Sequence, residues 1–147
     1  MLYFAYAANL NHSHMSSLCP GAEALFSAVL ENYTLTVRQW FNIEPKKGAN
    51  VQGGVWYISK EHVHYLDRYE DSPELYERHA VEVVSDTGIV ECLIYYMNKP
   101  FAIPLSYADP EYLRMVKQGY REWGILSEPL DNALKVVSGI WSLESRV

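Results

Sequence analysis

The sequence predicts an α+β domain, an antiparallel or mixed sheet with helices packed outside it. Three observations carry this expectation. Segments of strand character outnumber those of helical character and follow one another in runs. No strand–helix–strand alternation recurs, and neither G-x-G-x-x-G nor a P-loop occurs, so a nucleotide-binding sheet has no support. The 147 residues, 49% apolar by a broad count, suit one core, and hence a single domain over residues 1–147.

The elements follow in order. Residues 2–6 are short, apolar and aromatic, a buried opening strand. Ala7-Ala8-Asn9-Leu10-Asn11 breaks it, and Asn11 or Ser13 caps a short helix that ends before the Cys19-Pro20-Gly21 turn. Residues 22–30 and 33–43 read as two strands joined at Glu31-Asn32, with Trp40 and Phe41 on the second. Residues 44–48, with Pro45, read as a loop. A further strand over residues 51–58 contains Gly53-Gly54, which marks a bulge or a close approach of another group to the backbone. Ser59 then caps a helix to about Glu70, with Glu61 in its favourable first turn, and Asp71-Ser72-Pro73 stops it. Residues 75–84 and 89–97 form a β-hairpin through Ser85-Asp86-Thr87-Gly88. Pro100 and Pro104 mark a loop. Asp109 caps a helix with Pro110 at its first position, running through Trp123 to Gly124. A last helix covers residues 128–143, with Leu130, Leu134, Val137 and Trp141 at spacings of three and four.

Composition narrows the partners. The formal charge is -6, and no basic cluster exceeds Lys46-Lys47. Nucleic acid and anionic membrane both require concentrated positive charge, so neither is expected. No apolar run approaches the ~18 residues of a membrane helix, and the first residues lack the pattern of a signal peptide. Cys19 and Cys92 form no C-x-x-C and read as free thiols in a reducing, cytoplasmic setting. Trp40, Trp123 and Trp141 fit a homodimer interface as well as a core. A small-molecule partner is the default expectation.

The sharpest local oddity is Glu70. On a helical wheel relative to Val63, Leu66 lies at about -60°, Asp67 at about +40° and Glu70 at about -20°. Glu70 thus stands in the apolar stripe, where an aliphatic residue is expected. Either the carboxyl is held in a cleft with a raised pKa, as a general base near neutral pH requires, or the helix has frayed by position 70 and the residue is solvated. Asp67 shares this face, with Arg68 or Arg78 as a partner. The small residues of Tyr6-Ala7-Ala8-Asn9-Leu10, directly after a buried strand, can turn backbone N–H groups toward a carboxylate or an oxyanion; an ordinary turn has the same composition. His12 with His14, and His62 with His64, lack a third ligand at metal spacing, and the second pair diverges on a helix. The serines have no G-x-S-x-G setting, and neither cysteine has a neighbouring histidine.

Several strings stand in an informative order. Tyr3-Phe4-Ala5-Tyr6-Ala7-Ala8-Asn9-Leu10 is followed by Cys19-Pro20-Gly21-Ala22, then by Val51-Gln52-Gly53-Gly54-Val55-Trp56. Leu66-Asp67-Arg68-Tyr69-Glu70 precedes Tyr76 and Val81-Glu82-Val83, and Cys92-Leu93-Ile94-Tyr95 closes the series. Over nearly the whole chain these resemble the γ-glutamyl cyclotransferase family, including its AIG2-like and γ-glutamylamine cyclotransferase branches, whose loop reads Y-G-S-N and whose helix reads L-D-x-x-E. The resemblance implies a small, mostly antiparallel mixed β-barrel with peripheral helices. It implies intramolecular aminolysis: the α-amine of a γ-glutamyl amine or dipeptide attacks its own γ-carbonyl, giving 5-oxoproline and a free amine or amino acid. By the same match Glu70 is the catalytic acid/base. The backbone of Tyr6, Ala7, Ala8, Asn9 and Leu10 holds the γ-glutamyl part, Tyr76 and Tyr95 face the pocket, and no metal or organic cofactor is required.

The sequence departs from the family pattern at three places. Ala7 and Ala8 replace Gly and Ser, and a φ > 0 at position 7 would cost about 1 kcal/mol or more. Asp71 stands where Gly is common, and Leu18 where Arg is common. Two alternatives therefore remain: removal of a γ-glutamyl group from a specialised biosynthetic amide, and a non-catalytic small-molecule-binding module on the same fold.

Overall fold

A computed structural model describes residues 1–144, with side chains up to Gly139. Five strands close into a barrel in the order β1-β3-β2-β4-β5: β1 (Leu2–Ala5), β2 (Glu23–Arg38), β3 (Trp40–Tyr57), β4 (Tyr76–Ser85) and β5 (Gly88–Met97). Every pairing is antiparallel except β1 with β5, which closes the barrel in parallel at Tyr3 and Leu93. Among the described residues, four α-helices lie outside this ladder: α1 (His12–Leu18), α2 (Lys60–Tyr69), α3 (Pro110–Trp123) and α4 (Glu128–Glu144). The expected mixed, mostly antiparallel barrel with peripheral helices is what the chain adopts.

The core follows from the apolar residues of the strands. Phe4, Val37, Val55 and Ile94 are wholly buried, each contributing roughly 1.5–3 kcal/mol of hydrophobic stabilisation. Gly53 and Gly54 bear out the expected close approach. A Cβ on Gly53 would strike the Ala5 carbonyl and the Phe4 ring, and one on Gly54 would lie 2.6 Å from the Trp123 ring. The missing side chains let β1 pair with β3 and let α3 seat Trp123 against the barrel.

The middle of the chain corrects the sequence reading. The break at Glu31-Asn32 is no hairpin turn: β2 runs straight through it. Asn32 takes φ 65° and the register shifts between Glu31 and Tyr33, so the left-handed residue makes a bulge. The chain reverses at Gln39, φ 68°, where Arg38 pairs with Trp40. Trp40 and Phe41 therefore begin β3 instead of ending β2. Residues 44–48 are strand and not loop, with Pro45 opposite Tyr33 beside the bulge. This reversal is locked by an ion pair. Arg38 Nε lies 2.8 Å from Glu44 Oε2, and its Nη1 donates to the Ile103 carbonyl at 2.8 Å. Burial alone would raise the Glu44 carboxyl, but hydrogen bonds from Arg38 and Thr36 outweigh it and hold the pKa below the ordinary value.

The helix caps are the expected ones. Asn11 Oδ1 accepts from the His14 amide and starts α1, Asp109 caps α3 with Pro110 at its first turn, and Gly124 ends α3 at φ 66°. In α4, Leu130 and Val137 are buried and Leu134 partly so; Trp141 lies outside the described side chains. Trp123 is only half-buried and Trp40 likewise. Cys19 and Cys92 are buried free thiols.

Candidate functional site

Glu70 is placed by α2. The Ser59 hydroxyl accepts from the His62 amide at 3.2 Å, and His62 Nδ1 accepts from the Ser59 amide at 3.1 Å, a capping box with histidine in the usual glutamate position. Val63 and Leu66 bury the apolar stripe. The Glu70 amide still donates to the Leu66 carbonyl at 2.9 Å, so helical geometry reaches position 70. Of the two states left open by the wheel, the solvated one is overturned. Glu70 is half-buried and lines a cavity, and burial pushes its carboxyl up to about 8, against a smaller opposing effect of the Asn9 hydrogen bond. Asp71 follows at φ 51°, in the left-handed region that glycine occupies most easily and Asp tolerates better than most.

The loop after β1 forms the facing wall. Ala8–Leu10 is a single 3-10 turn, whose first amides, those of Ala8 and Asn9, have no carbonyl within the turn to bond. Ala7 has φ -141°, so this position does not take the positive φ whose cost the sequence raised. The Asn9 carbonyl accepts from Trp56 Nε1 at 2.9 Å and the Leu10 carbonyl from Trp123 Nε1 at 2.6 Å. Two indoles thus pin the turn from behind, their rings edge-on at 5.4 Å. The Asn9 side chain reaches across, and its Nδ2 donates to Glu70 Oε1 at 3.1 Å and to the Tyr3 hydroxyl at 2.9 Å.

The cavity between these walls measures about 360 Å³. Of the residues singled out from the sequence, Tyr6, Ala7, Ala8, Asn9, Tyr76 and Tyr95 line it together with Glu70. Leu10 does not: it is fully buried behind the turn, packed in the core. Tyr76 and Tyr95 present rings more than free donors. The Tyr76 hydroxyl donates to the Phe41 carbonyl at 2.6 Å, and the Tyr6 hydroxyl to the Tyr95 carbonyl at 2.7 Å. The Tyr95 hydroxyl donates to Asp67 Oδ1 at 2.6 Å, and Arg78 holds that carboxylate at 3.1 Å, which identifies the partner of Asp67. Burial raises the phenols of Tyr6, Tyr76 and Tyr95 above their ordinary range, so they stay neutral.

Further lining residues escaped the sequence reading: Tyr3 from β1, Tyr69 and Asp71 around Glu70, Trp40 and Phe41 from the start of β3, Leu75, and Tyr112 from α3. Trp40 and Phe41 were hidden by the misplaced reversal. Tyr112 had a signal, since it shares a helical face with Val116 and Tyr120, both buried. Among the described residues, Glu70 and Asp71 are the charged members of the lining, which contains no Lys, Arg or His. The nearby Arg38 is engaged by Glu44. Burial pushes the Cys19 and Cys92 thiols up to about 11, so neither is a thiolate at neutral pH.

Comparison with known proteins agrees with this geometry. The model of the family described as "Gamma-glutamyl cyclotransferase, AIG2-like" matches residues 3–122. A gamma-glutamylaminecyclotransferase of Bos taurus is 30% identical over 101 residues, 63% of this chain and 60% of the relative, so the match spans somewhat over half of that protein's length. A solved structure named gamma-glutamyl cyclotransferase superposes with a TM-score of 0.73 at 25% identity, covering 90% of this chain and 85% of its own. An uncharacterised protein from Homo sapiens superposes at 0.74 with 26% identity and the same coverage.

Proposed function

Because the chain belongs to the gamma-glutamyl cyclotransferase, AIG2-like family, we propose that it releases 5-oxoproline from a γ-glutamyl amine by intramolecular aminolysis, with Glu70 as catalytic acid/base. The observation that carries this is the Glu70 carboxyl, which lines the cavity with Ala8 and Asn9, accepts from Asn9 Nδ2 at 3.1 Å and is pushed up to about 8 by burial.

The chemistry suits so sparse a site. Nucleophile and electrophile share one molecule, so folding the γ-glutamyl group into the cavity supplies much of the rate. Its α-carboxylate needs donors, and the turn amides with the Tyr3 hydroxyl supply them. The α-ammonium then lies near Glu70, where its positive charge draws the carboxyl toward the ionised form. An α-amino group of pKa about 8 and a carboxyl of similar value exchange a proton at little cost. The freed amine attacks the γ-carbonyl, the new C–N bond closes the five-membered ring, and the tetrahedral oxyanion collapses with cleavage of the old C–N bond. Two protons move in all from the α-nitrogen to the leaving nitrogen, which departs as an ammonium. One carboxyl can relay them in turn because the transfers are sequential.

The lining also favours an amine over a dipeptide. An amino-acid leaving group would carry a carboxylate into a cavity whose charged residues are both acidic, Glu70 and Asp71. Burying a charge without a partner is costly. γ-Glutamylethylamide and γ-glutamyl-alanine form a matched pair that differs by that carboxylate alone. We expect 5-oxoproline from the ethylamide at a kcat/KM at least about tenfold higher. Equal rates would remove the charge argument, and no 5-oxoproline from either, or from larger γ-glutamyl amides, would overturn the proposal.

A further inference from the structure

His14 does not line the cavity, yet it touches the group that touches Glu70. Its Nε2 lies 2.9 Å from Asn9 Oδ1. The opposite end of the same amide donates to Glu70 Oε1 at 3.1 Å and to the Tyr3 hydroxyl at 2.9 Å. In the structure the amide turns its nitrogen toward Glu70, the orientation that suits the ionised base, since a carboxylate only accepts hydrogen bonds. Its oxygen is then left facing His14 and can only accept. His14 Nε2 must therefore carry the proton, which fixes the tautomer.

His14 itself is held firmly. Its backbone N–H donates to the Asn11 cap at 2.9 Å, and its ring lies against Tyr69 at 4.8 Å. Burial keeps its pKa below the ordinary value, so the ring is neutral where a base near 8 would work. We propose that His14 is a positioning residue for this site: its N–H holds the Asn9 amide in the one orientation that donates to Glu70. The proposal rests on the reading of Glu70 as the acid/base.

Without that N–H the amide is free to turn over. The flipped form presents Oδ1 to Glu70, which repels the carboxylate and accepts from the protonated acid. Losing His14 therefore moves the titration of Glu70 upward. The other groups facing Glu70 do not confuse the readout. The phenols of Tyr3, Tyr6, Tyr69, Tyr76, Tyr95 and Tyr112 are all raised above their ordinary values and stay neutral through pH 9. Asp71, the other carboxyl of the lining, is common to parent and variants.

The test is a 13C NMR titration of glutamate side-chain carboxyls, with the Glu70 signal identified by its loss in Glu70→Gln. In His14→Leu, Glu70 is expected to titrate about one pH unit above the parent, the size of one hydrogen bond to a charged group. In His14→Gln, whose amide N–H can replace the imidazole N–H, it is expected to stay within about 0.3 of the parent. The acid limb of kcat/KM on γ-glutamylethylamide should move in step, with roughly tenfold loss below the limb and recovery above it. A ring that merely fills space would lower stability without moving either titration. A folded His14→Leu with an unmoved Glu70 overturns the proposal. So does His14→Gln titrating a full unit high, which keeps the question decidable should His14→Leu fail to fold. Because the NMR titration needs no turnover, a protein that released no 5-oxoproline would refute the reaction and leave the role of His14 to be decided separately.

Discussion

Replacing Glu70 with Gln should make the protein more stable, and by an amount that depends on pH. The ordinary glutamate value is 4.5, and in the folded chain it stands at about 8. A carboxyl raised on folding favours the folded state only while both states are protonated. Above about pH 4.5 the unfolded chain releases this proton and the folded chain keeps it, so stability falls with rising pH until the folded group also ionises near 8. Each pH unit in that window is worth about 1.4 kcal/mol, giving a ceiling of about 3.5 kcal/mol at pH 7. Glu70 is half-buried and the cavity admits water, so roughly 2 kcal/mol is the realistic figure. The glutamine side chain retains an oxygen for the Asn9 N–H and has no charge to desolvate. For a domain of this size that corresponds to about 6–8 °C in Tm. Thermal unfolding of parent and Glu70→Gln, followed by circular dichroism at unit intervals from pH 4 to pH 8, reads it directly. The two curves should coincide near pH 4 and diverge steadily toward pH 8. Parallel curves, or a variant less stable at pH 7, would show that Glu70 titrates as an ordinary surface acid, and the argument from its burial would fail.

Two further outcomes test how the barrel holds the site. Glu44→Ala leaves the buried Arg38 guanidinium unpaired at the β2–β3 reversal, and should cost about 3 kcal/mol in urea unfolding, while Arg38→Met with Glu44→Leu together should cost much less. Gly54→Ala drives a methyl into the Trp123 ring; it should cost about 1–3 kcal/mol and alter tryptophan fluorescence as the indole leaves the Leu10 carbonyl.

The parts of the fold written in local chemistry were legible. Ser59, Asn11 and Asp109 announce helix starts because their side chains satisfy amides that nothing else reaches. The hairpin of β4 and β5 shows its alternation and its Gly88 turn. What failed was the pairing of β2 with β3. Asn32 suits a left-handed conformation, but a tight turn and a bulge both use one, and only the partner strand decides between them. Gln39, which does reverse the chain, has no composition that marks a turn. Pro45 reads as a strand breaker and is accommodated beside the bulge.

The site divides in the same way. Glu70 was legible because an acid in an apolar stripe contradicts the periodicity around it. Residues 6–10 were legible as a break after the first strand, and Ala8–Leu10 form a 3-10 turn there with Ala at positions 7 and 8. The reach of the Asn9 side chain to Glu70 was not legible: it spans from the end of β1 to the end of α2, and no spacing in the sequence encodes that distance. Trp40 and His14 were missed for the same reason, since each arrives through the closure of the barrel or the packing of a helix outside it.

The measurement that bears most directly on the central claim is 5-oxoproline release from γ-glutamylethylamide by the parent and by Glu70→Gln under the same conditions near neutral pH. Removal of a general acid/base predicts product from the parent and roughly a 100-fold or greater loss in the variant, with the variant at least as well folded as the parent. A Glu70→Gln protein that keeps most of the parent's rate would contradict the assignment of Glu70.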